Sequence, residues 1–220
     1  MKIFSKKRIV LFLLFIFPLI CFLILSTGEN NFTKLPVVTK SLIDINDLDS
    51  IQVIKLKDHV SVVCFLGNDI EKSKSGLSNL NEKIYKTFID YNKFQVIAIY
   101  PTGKETEAKA LEKKLGAYTD MRNWNFIAIP QKKIEIFYST FSTNFPLDNL
   151  SSSKAFLIDK NVDLRGRVNY KDNKDEVLYG YNMSSVSELN DKLKDDLKVL
   201  FYEYYAAFKI KNKNKADRQI

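Results

Sequence analysis

Lys154-Ala-Phe-Leu-Ile-Asp-Lys-Asn-Val-Asp-Leu-Arg-Gly-Arg-Val168 is the stretch that decides the fold. Its two apolar, strand-like runs, Lys154–Asp159 and Val162–Val168, are separated only by a tight Asp-Lys-Asn turn, which predicts an antiparallel hairpin. A hairpin at this point matters because everything upstream of it reads as alternating strand and helix.

Working outward towards the N-terminus, His59-Val-Ser-Val-Val-Cys-Phe-Leu66, Phe94-Gln-Val-Ile-Ala-Ile-Tyr100 and Trp124-Asn-Phe-Ile-Ala-Ile129 are short and almost wholly apolar. Runs of that kind suit strands buried on both faces. Between the first two, Leu77, Leu80, Ile84, Phe88 and Tyr91 recur at three- and four-residue spacings, one apolar helix face. Between the second and third, Lys104–Leu115 is rich in Ala, Glu and Lys, and Gly116 follows at a plausible helix C-terminal position. Ile134–Phe141 suits a short helix, with a strand as the alternative, and residues 142–153 form a Ser/Asn/Asp-rich loop. Downstream of the hairpin, a polar loop spans 169–176. Ser185-x-x-Glu188 then forms a capping box that opens a long last helix with Leu189, Leu193, Leu197, Leu200, Phe201, Tyr204 and Phe208 as its apolar stripe. The order β-α-β-α-β-α-β-β-α describes an α/β domain, a mixed sheet with helices on both faces.

The ends of the chain carry its charge. The net charge is +8, but Lys2, Lys6, Lys7 and Arg8 supply half of it. Lys209, Lys211, Lys213, Lys215 and Arg218 against Asp217 supply the rest, so residues 9–208 are neutral overall. A nucleic-acid-binding domain would carry its cations on a face of the fold, so nucleic acid is excluded as a partner. Ile9–Leu25 is an unbroken apolar run apart from Pro18, and no charge appears from there until Glu29. This reads as one N-terminal transmembrane helix, with the basic cluster cytoplasmic and the rest of the chain on the far side. A cleaved signal peptide is the alternative, but Ser-Thr-Gly-Glu-Asn after Leu25 lacks a small-x-small cleavage pattern. The expected divisions are a basic cytoplasmic segment (1–8), an anchor (9–28), a tether (29–54), the folded domain (55–208) and a basic disordered tail (209–220).

Two cysteines and one histidine limit the chemistry. Cys21 lies in the apolar span and Cys64 in a predicted strand, so no disulfide, CxxC or CxxxC is expected. His59 has no companion for a thiol/imidazole metal site, and neither a metal nor another cofactor is expected.

Phe156–Arg167 resembles the last hairpin of membrane-tethered thioredoxin-like proteins, the Sco/SenC copper chaperones and the TlpA/ResA reductases, whose pattern is hydrophobic-Leu-Ile-Asp-x-x-Gly-x-hydrophobic-x-Gly. The N-terminal anchor, and the strand ending in Phe65 with a helix directly after it, resemble the Sco branch. The similarity covers about residues 55–205 and rests on element order. It implies a thioredoxin-like fold and, in a Sco protein, a Cu(I) site made by CxxxC and a later histidine. Registered on this chain, those ligands fall near Ile70, Lys74 and Ser151, and the chemistry is absent at all three. The reductase pattern fails likewise, because Ser151–Ala155 lacks the proline that precedes the hairpin in that family.

The resemblance therefore implies a degenerate, non-catalytic Sco-like protein in a bacterial inner membrane, its soluble domain periplasmic. It would act by contact with oxidase subunits or assembly factors in cytochrome c oxidase assembly, with no small-molecule substrate. A thiol-dependent redox or peroxiredoxin-like protein using Cys64 is the alternative. Cys64 sits too early for a peroxidatic cysteine, which belongs at a helix N-terminus, and a buried structural thiol suits it better. Tyr202, Tyr204 and Tyr205 wrap around the last helix, so at least one faces away from the sheet, and the three are the candidate partner-binding residues.

Overall fold

Val60–Leu66 (β2) is buried at every position and occupies the middle of a seven-stranded sheet. The computed structural model describes residues 6–26, 33–48, 54–168 and 176–216, the side chains of 8, 9, 25, 26 and 210–216 excepted. Most of the expected polar loop (169–175), parts of the tether (29–32 and 49–53) and the last four residues (217–220) lie outside the described residues.

On one side of β2, Phe94–Pro101 (β3) and then Trp124–Ile129 (β4) add in parallel. On the other side Ser151–Ile158 (β5) runs antiparallel to β2, with Val62 opposite Leu157. Leu164–Arg165 (β6) completes the expected hairpin, and Val37–Thr39 (β1) closes that edge. Arg167–Val168 (β7) and Val177–Leu178 (β8) form a separate ribbon, and Tyr181–Asn182 (β9) pairs with β5.

Strand pleating sends alternate residues of β2 to opposite faces. Val60, Val62, Cys64 and Leu66 join the cluster under Ile70–Leu80 (α3), Glu105–Gly116 (α5) and Lys194–Ala216 (α8). Val63 and Phe65 join the cluster under Ile45–Leu48 (α2) and Gln131–Ser139 (α6). The chain steps β2→β3→β4 without reversing direction, so crossovers of one hand place α3 and α5 on the same face. α3 continues through a π-helical stretch, Asn81–Tyr85, into Lys86–Phe88 (α4). The wider turn holds polar pairing inside the core: the Asn81 amide donates to Thr119 Oγ1 at 2.8 Å and accepts from the Trp124 indole at 3.3 Å.

Several boundaries differ from expectation. The tether contributes to the fold: Leu35, Leu42, Ile45 and Leu48 are buried, and the compact unit begins at Lys34. Gly116 does not terminate α5 in the left-handed region; Ala117 still bonds back to Lys113, so the glycine is helical. The 131–139 segment is a helix rather than a strand. β5 starts at Ser151, after a tight turn in which Asn149 (φ 47°) and Leu150 (φ 64°) are both left-handed, with Asp148 and Ser151 exchanging backbone bonds of 2.8 and 2.9 Å around it. The tail expected to be disordered from residue 209 is helical as far as Ala216. Ser185 caps the short helix Val186–Glu188 (α7) by accepting from the Glu188 N–H. The Glu188 carboxylate accepts from Asn182 N–H rather than Ser185, so the expected box is closed one turn further back.

The hairpin turn carries most of the buried charge. Asp159 Oδ1 accepts from the N–H groups of Asn161 (2.8 Å) and Asp163 (3.1 Å), which folds the turn onto its own first residue. Val162 sits at φ 66°, in the position of the glycine in the hairpin pattern. A β-branched residue is rarely left-handed. Its burial and the bond from Leu42 N–H to its carbonyl (2.9 Å) hold it there. Arg165 reaches Asp159 (3.4 Å) and Glu203 of α8 (2.5 Å), and the other oxygen of Glu203 accepts from Leu35 N–H. Arg167 forms a two-pronged contact with Asp196 of α8, which also accepts from the buried Tyr181 hydroxyl at 2.7 Å.

Residues 1–33 form a unit of their own, in which Lys6–Ser26 (α1) is a helix whose apolar side chains are exposed. Among the described residues no helix is long and apolar enough to cross a membrane. The described side chains of α1 that are apolar run from Val10 to Ile24, about 22 Å of helix against a hydrocarbon core of about 30 Å.

Candidate functional site at the open end of the sheet

Open α/β sheets present their ligand sites beyond the carboxyl ends of the parallel strands. Here β2 ends at Leu66, opposite Ser151 at the start of β5, and α3 starts four residues later. The connection is drawn tight by Gly67, at φ 70°, where a Cβ would come within 2.6 Å of the Asn149 carbonyl oxygen and of Ser151 Cβ. Asn68 donates across the gap to Asn149 at 2.7 Å.

Beside this junction lies a cavity of about 230 Å³, lined among others by Lys72, Ser73, Asp148, Ser151, Ser152 and Met183. Gly76 lets α3 approach the turn at Met183, since a Cβ there would meet Met183 Cβ at 2.9 Å. Ser73 is nearly buried and donates to the Leu66 carbonyl at 3.3 Å; Ser152 accepts from Lys154 N–H at 3.1 Å. Lys72 is exposed and pairs with Asp69 at 3.6 Å, an ion pair of small energetic consequence. The lining offers hydroxyls, one ammonium and one carboxylate.

Of the three positions where the sequence register put missing ligands, only Ser151 lines this cavity. Ile70 is the buried first residue of α3, and Lys74 turns to Glu71 at 2.7 Å, a pairing that raises the lysine pKa and lowers the glutamate's. Cys64 lies two residues inside the strand end, fully buried, and desolvation pushes its thiol pKa far above the ordinary value. A thiol in that state is not a nucleophile at neutral pH. His59 lies at the opposite end of β2, its Nδ1 3.0 Å from the Lys57 carbonyl oxygen. Among the described residues no group of three or more His, Cys, Asp or Glu side chains is placed to hold a metal. A Cu(I) ion wants thiolate and imidazole, so the hydroxyl-rich lining does not fit one.

The three tyrosines of α8 separate. Tyr202 and Tyr205 are exposed, with ring centroids 6.5 Å apart. Tyr204 faces the hairpin: its hydroxyl accepts from Lys160 N–H at 3.2 Å, and the Lys160 ammonium lies 4.3 Å from its ring centre. Burial pushes the Tyr204 pKa up to about 12. Tyr204 therefore belongs to the fold and not to an exposed surface with the other two. Sequence reasoning missed Lys72, Ser73, Asp148 and Met183, which are ordinary polar or apolar residues from three separate elements. The only signal pointing to them was the register that brought Ser151 to this end.

No protein-family model matches the sequence, and no curated protein does. Among solved structures, the chain is similar to BsSco, described as a member of the Sco family of cytochrome c oxidase assembly proteins. The identity is 15%, the TM-score is 0.50, and the match covers 77% of this chain and 98% of that one. It is also similar to a thiol:disulfide interchange protein of the thioredoxin family from Chlorobium tepidum, at 13% identity and TM-score 0.47, covering 75% and 99% of the two chains. The fold is thioredoxin-like: a mixed α/β sheet with helices on both faces.

Proposed function

We propose that this chain is a non-catalytic, Sco-like thioredoxin-fold protein that acts by protein contact in cytochrome c oxidase assembly. We place it on the periplasmic side of a bacterial inner membrane. The observation that carries the reading is the chemistry at the open end of the sheet. Where thioredoxin-like proteins put reactive sulfur, this chain has Ile70, Lys74 and a serine-lined cavity, and its one domain cysteine is sealed in β2. A scaffold without the reactive groups acts through surface complementarity. The Sco branch is preferred on the hairpin and anchor features of the sequence, and the assembly role follows from that preference.

The anchor belongs to the same reading. Ile9–Leu25 is an apolar run, unbroken apart from Pro18, with no charge between Arg8 and Glu29, and it includes Ile9 and Leu25, whose side chains lie outside the described ones. The full chain should resist alkaline carbonate extraction from membranes.

Affinity capture of the full chain from detergent-solubilised membranes should recover oxidase subunits or assembly factors, and deleting the gene should lower oxidase activity. Capture of neither, with normal oxidase activity in the deletion strain, overturns the assembly role. The competing thiol-redox reading predicts that Cys64 reacts in the native protein. We expect it instead to stay unlabelled by a thiol reagent at neutral pH until the domain unfolds.

A further inference from the structure

The two edges of the sheet are built differently. At one edge β1 is three residues long, preceded by Pro36 and followed by Lys40, features with which natural sheets blunt an edge. At the other edge β4 is six residues long, and Trp-Asn-Phe-Ile-Ala-Ile contains no charge, glycine or proline. Among the described strands it pairs with β3 alone. The bonds at the two ends of that pairing, from Val96 N–H to the Asn123 carbonyl and from Thr102 N–H to the Ile129 carbonyl, set its phase. Odd-numbered residues of β4 therefore turn their backbone groups to β3, and Trp124, Phe126 and Ala128 turn theirs outward. Asn125, Phe126 and Ala128 are partly exposed, whereas β2 and β3 are buried throughout.

The open row of backbone groups is bounded symmetrically. Trp124 N–H already donates to the Met121 carbonyl at 2.9 Å. Pro130 has no N–H, and its carbonyl accepts from Lys133 and Ile134 as α6 starts. Both stops lie three residues from Ile127. Between them Phe126 and Ala128 present two N–H donors and two carbonyl acceptors that have no partner among the described residues. An antiparallel copy of the same strand, related by a two-fold axis at Ile127, sets Phe126 opposite Ala128 and pairs all four groups on each chain. The outward Trp124 carbonyl then lies opposite Pro130 and finds no donor. Side-chain size fits the same register. The Phe126 ring, which stacks on Trp124 with centroids 5.6 Å apart, falls opposite the methyl of Ala128, large against small at both crossings. With no charge in the strand, self-pairing sets no like charges against each other.

We infer that β4 is the docking edge for a second copy of this chain, the two joined as an isologous, antiparallel strand pair that continues the sheet across a two-fold axis. The inference depends neither on the anchor nor on the assembly role proposed above. A six-residue edge covers less surface than the roughly 1,200 Å² at the lower end of stable interfaces, so the self-association is weak, in the micromolar range.

The test follows amide hydrogen exchange, residue by residue, in the full chain held in an excess of detergent micelles. As protein concentration rises, exchange at Phe126 and Ala128 should slow about tenfold, in step with a monomer-to-dimer change in sedimentation, while Ile127 stays protected throughout. Ala128→Pro removes an outward donor without touching the pairing with β3, and should weaken self-association at least about tenfold. Ala128→Lys leaves every backbone donor in place but sets an ammonium opposite Phe126, and should act in the same direction. The urea midpoint of each variant separates loss of pairing from loss of folding. A chain that stays monomeric at every concentration overturns the inference. So does a dimer whose Phe126 and Ala128 amides remain unprotected, or one that keeps its affinity in a folded Ala128 variant, because the contact then lies elsewhere, the apolar N-terminal segment included. Protection that requires added membrane proteins overturns it as well, in favour of a different partner at the same edge.

Discussion

At the hairpin end of the sheet, Arg165 pairs with both Asp159 and Glu203 in a largely buried cluster, and the half-buried Arg167 and the Tyr181 hydroxyl both bond to the buried Asp196 a turn or two away. At the other end, where a thioredoxin-like sheet is open to ligands, Lys72 and Asp148 stand in solvent and the other polar side chains lining the cavity are serines. The two ends share strands β2 and β5, yet their buried polar chemistry is opposite. In this chain, groups that would be expensive to leave unpaired hold α8 and the tether to the sheet. The difference ties the hairpin end to architecture, and under the proposed function protein contact falls to the open end.

The largest effect that can test this comparison is the removal of Arg165. Arg165→Met leaves Asp159 and Glu203 as buried carboxylates with only backbone donors. It also frees the bond network that holds Leu35. A loss of about 3–5 kcal/mol is expected for breaking a buried ion pair from one side, read as a lower midpoint in urea with an unchanged slope. A loss under about 1 kcal/mol would mean that the clamp contributes little and that the contrast between the ends is only geometric. The cluster is not ideally satisfied even when intact, because Arg165 Nε has no hydrogen-bond partner.

Gly67→Ala is the corresponding break at the open end. The left-handed φ disfavours any side chain, and the new methyl would sit 2.6 Å from Asn149 O and Ser151 Cβ. Strain and overpacking together should cost about 2–4 kcal/mol. Hydrogen exchange should show the loss of protection concentrated in the 148–151 turn and the first turn of α3.

How much of this was legible beforehand follows from which signals are local. The strands 60–66, 94–101 and 124–129 could be read because a doubly buried strand is an apolar run wherever it occurs, and the hairpin because turn chemistry sits in adjacent residues. The sequence holds two cysteines and one histidine, which is why the expectation of no thiol/imidazole site rests on composition alone. What could not be read depends on contacts distant in sequence. Leu35–Leu48 looks like polar tether until β6 provides an edge for β1 and α6 a floor for α2. Nothing local marks Val162 or Leu150 as left-handed, since their tertiary neighbours override a steric preference. The inward turn of Tyr204 is set by Lys160, 44 positions earlier in the chain. The serine-lined cavity draws on α3, the 148–153 segment and the turn after β9, which no spacing rule joins.

A pH titration sharpens the comparison from the hairpin end. Desolvation raises the Asp159 pKa above its ordinary 3.8, against the opposing bonds from Asp163 and Asn161 and the charge of Arg165. The folded state thus binds this proton more tightly than the unfolded state. Its contribution to stability is complete below the unfolded pKa and is lost as pH rises through the higher folded one. Asp159→Asn keeps the turn acceptor and cannot titrate. The stability of the natural protein relative to that variant should therefore grow on acidification from neutral pH. A difference that shrinks instead would mean that Arg165 dominates Asp159 and that its carboxylate is held charged.

The smallest expected effect is at Lys72, and its smallness is informative. The side chain is exposed, and its partner Asp69 lies 3.6 Å away at the surface, a pair that solvent screens. Lys72→Ala should change stability by less than about 0.5 kcal/mol in either direction. Because the substitution leaves the fold alone, any change it causes in recovery of a partner from membranes reports contact at the open end. A fully stable Lys72→Ala protein that captures its partner as well as the natural chain would move the contact away from this cavity. A stable protein that captures less would place the contact there, at the end of the sheet where no buried charge is committed to holding the fold together.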